Sequence, residues 1–246
     1  MNIFGDAFSW LFDAENWHGQ NGLIELTGQH LWFTLLAVVF AALVAVPVGW
    51  LIGHTGRGRE LAVGIAGAAR ALPSFGLVFL FVMMFGARNS GPATVLVLVV
   101  LAIPPILAGA YAGLEVIDRR TLDAARAMGM TEWQILWKVE VPLGLPLLLG
   151  GLRSATLQVV ATVSLAAFLG LGSLGLPIIQ GIALRDYDRM LGAAILIIVI
   201  ALVLDAVFAL LEKFAVPRGV RAARAPEPRT APTGRRAAVV TTATTT

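Results

Sequence analysis

Five long apolar runs, at about 30–53, 61–86, 92–114, 146–169 and 191–214, restrict the fold of this chain more than any other feature. Each holds at least the ~20 residues that an α-helix, rising about 1.5 Å per residue, needs to cross the ~30 Å hydrocarbon core of a bilayer. The composition agrees, with 58% hydrophobic residues, 13% charged residues and a mean hydropathy of +0.83. Inside lipid every backbone N–H and C=O must be paired internally, so runs of this length are read as helices. The expected fold is an all-α integral membrane protein with about five transmembrane helices.

The polar segments set its topology. Residues 1–29 carry Asp6, Asp13, Glu15 and Glu25 but no Lys or Arg, unlike a secretory signal peptide with its basic start, and Phe4 to Phe12 reads as a surface helix. Thirteen of the 18 basic residues fall on one side of the expected bilayer: Arg57 and Arg59; Arg119, Arg120, Arg126 and Lys138; and Lys213 with the six arginines from Arg218 to Arg236. The other side holds Arg88, Arg185 and Arg189. Loops rich in Lys and Arg stay in the cytoplasm, which puts the amino terminus outside and both the 115–145 loop and the carboxyl terminus inside, a parity that five spans satisfy. The pI of about 9.9 is thereby explained by topology rather than by nucleic-acid binding. The chain divides into an extracytoplasmic segment 1–29, a transmembrane domain 30–215, and a tail 216–246. That tail is rich in Ala, Pro, Arg and Thr and is expected to be a disordered cytoplasmic segment, because it lacks the large apolar groups that offset chain entropy.

Soluble-enzyme chemistry finds little support. There is no cysteine, and His18, His30 and His54 lack the spacing that places metal ligands on one helical face, so no metal site is expected. Gly170-Leu171-Gly172-Ser173-Leu174-Gly175 has the spacing of a dinucleotide fingerprint, but it ends an apolar run and is followed by Leu176-Pro177, where that fingerprint requires a strand before and a helix after. It is read as a loop leaving the membrane. Ser74, Ser154 and Ser164 have no accompanying His or nucleophile turn, and no phosphate-binding Gly-Lys-Ser/Thr element occurs. If ATP drives this protein, a partner binds it; no cofactor is expected in the chain itself.

Arg70, Arg153 and Asp205 are the charges expected inside the membrane, where an unpaired charge costs about 2.5–3.5 kcal/mol on insertion scales. Each therefore marks a face turned toward protein or water. Along ideal helices Arg153 lies about 10 Å inward of Pro146 and Asp205 about 15 Å from the end of the last run, so the two are able to pair. A structural pair or snorkelling Arg is preferred over substrate contact. Pro47, Pro73, Pro104, Pro105, Gly109 and Gly113 punctuate the runs, either as breaks lining a moving path or as static packing features.

One polar interruption carries a specific pattern. Asp123-Ala124-Ala125-Arg126-Ala127-Met128-Gly129 is followed, nine residues after the Gly, by Val139-Glu140-Val141-Pro142. An acid near a helix start favours the helix dipole, paired Ala residues leave a low face, and Gly permits a turn into a second short helix. The stretch resembles the coupling loop of ABC importer permeases, with Asp123 for Glu, Val139 for Ile and Val141 for Leu. Leu72-Pro73-Ser74, Pro142-Leu143-Gly144-Leu145-Pro146, Gly151-Leu152-Arg153-Ser154-Ala155 and Ala166 to Gly175 further resemble permeases that import quaternary-amine osmoprotectants such as glycine betaine, choline and carnitine. The likeness covers about residues 30–215. One departure is Ala108-Gly109-Ala110, where the family often carries a polar run after the Pro of the third span.

The resemblance implies a non-catalytic subunit of an ATP-driven importer in the bacterial plasma membrane, taking up a small osmoprotectant such as glycine betaine, choline, carnitine or proline. It further implies two permease subunits, identical or homologous, cytoplasmic ATPase subunits docked on the coupling loops, and an extracytoplasmic substrate-binding protein. Two alternatives are weighed: an ABC permease for another solute such as an amino acid, and a secondary transporter or channel using Arg70, Arg153 and Asp205. The second has no need of a cytoplasmic plug.

Overall fold

A computed structural model of the chain describes residues 3–60, 62–64, 67 and 73–215, and every regular element among them is helical. Arg70 and the tail 216–246 lie outside the described residues. A short helix α1 (Ile3–Phe12) precedes α2 (Leu23–Thr55), followed by α3 (Ser74–Phe85) and α4 (Ser90–Glu115). Two short helices, α5 (Arg119–Ala127) and α6 (Glu132–Ile135), lead through a π-helical turn at Leu136–Glu140 into α7 (Val141–Val163). A 3₁₀ segment (Ser164–Leu169), α8 (Gly175–Leu184) and α9 (Tyr187–Ala215) complete the described chain.

Among the described residues, four helices are long and apolar enough to cross a membrane: α2, α4, α7 with its flanking turns, and α9. The second expected run falls partly on residues outside the description. Its described part, α3, is an apolar helix of 12 residues that starts at Ser74, with the exposed Pro73 as its extended N-cap residue. The first spanning helix begins at Leu23 rather than near residue 30, because Leu23 and Leu26 are buried against Leu11 and Leu174 and draw the helix start into a small apolar cluster. The prolines do not break the spans: Pro47, the Pro104 and Pro105 pair, and Pro146 all lie inside continuous helices.

α4 is the central element, packed along α2 on one flank and α7 on the other. The α2 flank is a stripe of small residues, Ala37, Ala41, Ala45 and Gly49, recurring once per turn and buried against Leu98, Ala102, Ile106 and Ala110. Small side chains let backbones approach, which is the main source of packing energy between helices in lipid, where apolar burial by itself gains little. The α4–α7 seam goes further. A Cβ on Gly113 would stand 2.6 Å from the carbonyl oxygen of Gly144, and one on Gly151 2.7 Å from that of Pro105. Gly109 and Gly113 are therefore contact surfaces rather than breaks.

The outer faces of α2 and α9 carry exposed Leu35, Phe40, Leu43, Leu202, Val203 and Phe214, a distribution that suits lipid and not water. α1 packs against α9, with Ala7 and Leu11 buried and Phe4, Phe8 and Phe12 turned outward. It is a surface helix, as its sequence suggests. No strand precedes Gly170 among the described residues, so its glycine pattern is not a dinucleotide site.

Candidate functional site

The polar element between α4 and α7 is built from local signals. Asp118 caps α5, its Oδ1 accepting from the Arg120 N–H at 2.9 Å. The helix ends in a Schellman motif: the Gly129 N–H donates to the Arg126 carbonyl at 2.9 Å and the Met130 N–H to the Ala125 carbonyl at 3.2 Å. Gly129 has φ +82°, and a Cβ there would meet nothing within 4 Å, so glycine is required by backbone conformation and not by space within this chain. α6 then starts with a capping box, Thr131 Oγ1 accepting from the Gln134 N–H and Gln134 Oε1 from the Thr131 N–H.

Two sequence expectations need correction here. Asp123 is not at a helix start but in the middle of α5, where its carboxylate accepts from Arg126 at 3.1 Å, and the acid that caps the helix is Asp118. The 115–145 region is also less of a loop than expected, since it is helical from Glu132 and runs without a coil into the span that begins at Val141. A displacement of α6 is thus carried by continuous helix into the bundle. Of the paired alanines, Ala125 is buried and Ala124 is exposed, so one anchors α5 and the other leaves its outer face low. Val139, Val141 and Pro142 are half-buried where the π turn meets α7.

Charge holds the two short helices together across the Gly129 turn. Arg126 donates from Nε to Glu132 Oε1 at 2.8 Å and from a terminal nitrogen to Glu132 Oε2 at 3.1 Å, a bidentate pair. The hydrogen bond to Glu132, with the nearby Asp123, raises the guanidinium pKa above its ordinary value. Both partners are solvent-exposed, so the pair sets geometry more than stability. Met128 and Trp133, on either side of the turn, stand 81% and 68% exposed, two large apolar side chains close to the Arg126–Glu132 pair in sequence. Such side chains are suited to a complementary groove.

Behind the element, the last turns of α2 meet it. His54 Nδ1 lies 2.5 Å from Glu140 Oε2, and its Nε2 lies 3.8 Å from Glu132. Trp50 packs edge-on against Trp137, and Trp137 against Trp133. A cavity of about 490 Å³ opens here, lined among others by His54, Arg59, Tyr111, Glu115, Asp123 and Glu140. In the sequence His54 is one of three scattered histidines, and neither Glu140 nor Glu132 stands out as a site residue. The available signal was Glu140 itself, a carboxylate between two valines just before a membrane span, which burial obliges to find a partner.

Deeper in the bundle the structure brings Arg153 and Asp205 together as a bidentate pair, with bonds of 2.6 and 2.7 Å, and Glu212 stands 3.6 Å from the same guanidinium. The pair joins α7 to α9. His30, fully buried on α2, donates from Nε2 to the Val160 carbonyl of α7 at 3.0 Å. Ser74 is half-buried at the head of α3 and shares no hydrogen bond with these groups.

The family model of the binding-protein-dependent transport system inner membrane component matches residues 45–216. The chain belongs to this family. The permease is similar to the glycine betaine/carnitine/choline transport system permease protein OpuCB of Bacillus subtilis, at 31% identity over 81% of this chain and 91% of that protein. It is similar to the osmoprotectant import permease protein OsmW of Salmonella typhimurium, at 35% identity over 81% and 94% of the two chains. The carnitine transport permease protein OpuCB of Listeria monocytogenes is 32% identical over 87% and 95%. Among solved structures, the permease shares its fold with a chain of the MetNI methionine ABC transporter in inward facing conformations, with a TM-score of 0.70 over 79% and 96% of the two chains at 22% identity. An amino acid ABC transporter gives a TM-score of 0.63 over 77% and 92% at 20% identity.

Proposed function

We propose that the permease forms the transmembrane passage of an ATP-driven importer for a small osmoprotectant, in the class of glycine betaine, choline, carnitine or proline. The observation that carries this reading is the likeness, over more than four-fifths of both chains, to permeases named for those solutes. The chain itself is non-catalytic. A cytoplasmic ATPase docks on Arg119–Glu140, receiving the Met128 and Trp133 side chains, and an extracytoplasmic binding protein delivers the solute. A second permease subunit completes the passage. In this assembly closure of the ATPase pair biases a two-state bundle by its different affinity for the two states. Selectivity for a quaternary amine is supplied chiefly by aromatic rings of the binding protein through cation–π attraction.

The amino terminus faces outward and the coupling element and tail face the cytoplasm, as the distribution of basic residues supports. Single cysteines at Ser9 and Ala231 are expected to label from opposite sides, Ala231 only after permeabilisation. Labelling of both from one side contradicts the orientation. Deleting the permease is expected to abolish osmotically stimulated uptake of at least one radiolabelled solute among glycine betaine, choline, carnitine and proline. Unchanged uptake of all four removes the substrate assignment.

A further inference from the structure

Contacts between the coupling element and the first spanning helix converge on the last turns of α2. His54 stands between two carboxylates there: Glu140, which is buried, and Glu132, which Arg126 already ties to α5. One turn earlier on α2, Trp50 meets Trp137 edge-on at 5.4 Å between ring centres. Both contacts are made by the π turn or its edge, Leu136–Glu140. A π turn inserts one extra residue into a helix, so the residues before it are rotated by about 100° relative to α7 from where a regular helix would put them. That rotation is compatible with Glu140 facing α2 while α7 keeps its Gly144 and Gly151 face on α4. The buried Glu140 carboxylate accepts from the imidazole N–H, and the imidazole belongs to a helix that runs on unbroken for 33 residues through the bundle.

We propose that His54 is a positioning residue for transport: with Glu140 and Glu132 it clamps the coupling element to the end of α2, so that a displacement of that element is delivered to α2 as well as to α7. This rests on the reading of Arg119–Glu140 as the ATPase-docking element. The backbone already connects α6 to α7, so α7 moves with the coupling element whatever His54 does. α2 has no such connection; residues 56–118 separate it from α5 in the chain. What it receives directly from the coupling element passes through side chains, and the His54 contacts and the Trp50–Trp137 edge join the two. Without the clamp, the stroke reaches α2 only indirectly, through its packing on α4 and the buried His30–Val160 contact with α7, and the end of α2 lags behind the coupling element. ATP hydrolysis then proceeds with less solute moved per cycle.

The experiment uses the complete importer, with its ATPase and binding protein, in proteoliposomes. Three quantities are read for wild type, His54→Ala and His54→Gln: ATPase retained on the permease, ATP hydrolysed, and radiolabelled glycine betaine or choline moved per ATP. His54→Ala is expected to retain the ATPase and its hydrolysis while transport per ATP falls about five-fold or more, the lower edge of ordinary coupling between sites. His54→Gln, whose amide still donates to Glu140, is expected to recover most of that ratio. A His54→Ala importer whose transport per ATP stays within about two-fold of wild type overturns the proposal. So does one that loses the ATPase, since His54 would then serve docking rather than transmission. Failure of the wild-type permease to retain the ATPase would instead reject the docking reading. Should His54→Ala not accumulate, spin labels at the exposed Arg57 and Lys138 of the otherwise wild-type importer decide the matter. A distance that holds between nucleotide-free and ATP-bound states supports the clamp, and a change of about 5 Å, one helical turn, overturns it.

Discussion

Gly129 offers a perturbation whose size follows from the geometry. Its φ of +82° is one that side-chain-bearing residues adopt at a cost of about 1–2 kcal/mol, while a Cβ there touches nothing within 4 Å. Steric conflict inside the permease therefore contributes nothing, and the whole effect is conformational. Replacing Gly129 by Val, whose branched side chain tolerates this region least, is expected to destabilise the Schellman turn and lower the population of permease holding α5 and α6 in register by a factor of about 5–30. Asn, which tolerates the left-handed region, should lose far less. The bundle does not depend on this turn, so abundance in the membrane should not change. The assay is binding of the purified ATPase to permease in lipid nanodiscs, with Arg224→Ala in the tail as control. The apparent Kd should weaken about 5–30-fold for Gly129→Val and only slightly for Gly129→Asn. Wild-type affinity in Gly129→Val refutes the claim that docking needs this left-handed turn. An equal loss for Val and Asn assigns the effect to side-chain volume in the partner's groove.

Other perturbations follow from the packing. Replacing either Arg153 or Asp205 by Leu should lower folded yield more than replacing both, because a charge left between α7 and α9 without its bidentate partner is costlier than none; strictly additive losses in the double-mutant cycle would mean the pair contributes no coupling. Gly144→Val places a Cβ 2.9 Å from the Gly113 backbone and should reduce thermal stability by about 1–3 kcal/mol, whereas Gly28→Ala, with open space around it, should leave the melting temperature unchanged. Thr131→Ala removes the capping box of α6 and should weaken ATPase retention by about 1 kcal/mol, close to five-fold, with no change in membrane abundance.

What was legible in the sequence is what local rules govern. Lipid gives the backbone no hydrogen-bond partner, so each long apolar run had to be helical whatever it packs against. The turn at Gly129 was legible for a similar reason: a left-handed residue is demanded within a few positions, and glycine supplies it. The opposite case is Asp123. Its motif position suggested a helix start, but Asp118, five residues earlier, offered the cap, and helix length then carried Asp123 to mid-helix.

Pairings between distant residues were a different matter. Arg153 and Asp205 were matched in depth by counting residues, yet only the rotation of α7 against α9 turned them toward each other. His54 and Glu140 gave no such clue, because they lie 86 positions apart and a π turn, invisible to a fixed helical period, aims the carboxylate. The glycines of α4 and α7 looked like possible breaks until two backbones were seen to touch through them. The sequence by itself determined that this chain spans a membrane in helices and turns at Gly129 between two short helices, since both follow from hydrogen bonding and backbone conformation over a few residues. The tertiary structure decided which charges meet and which helix faces close, because those depend on register and rotation between segments that the chain joins only at a distance.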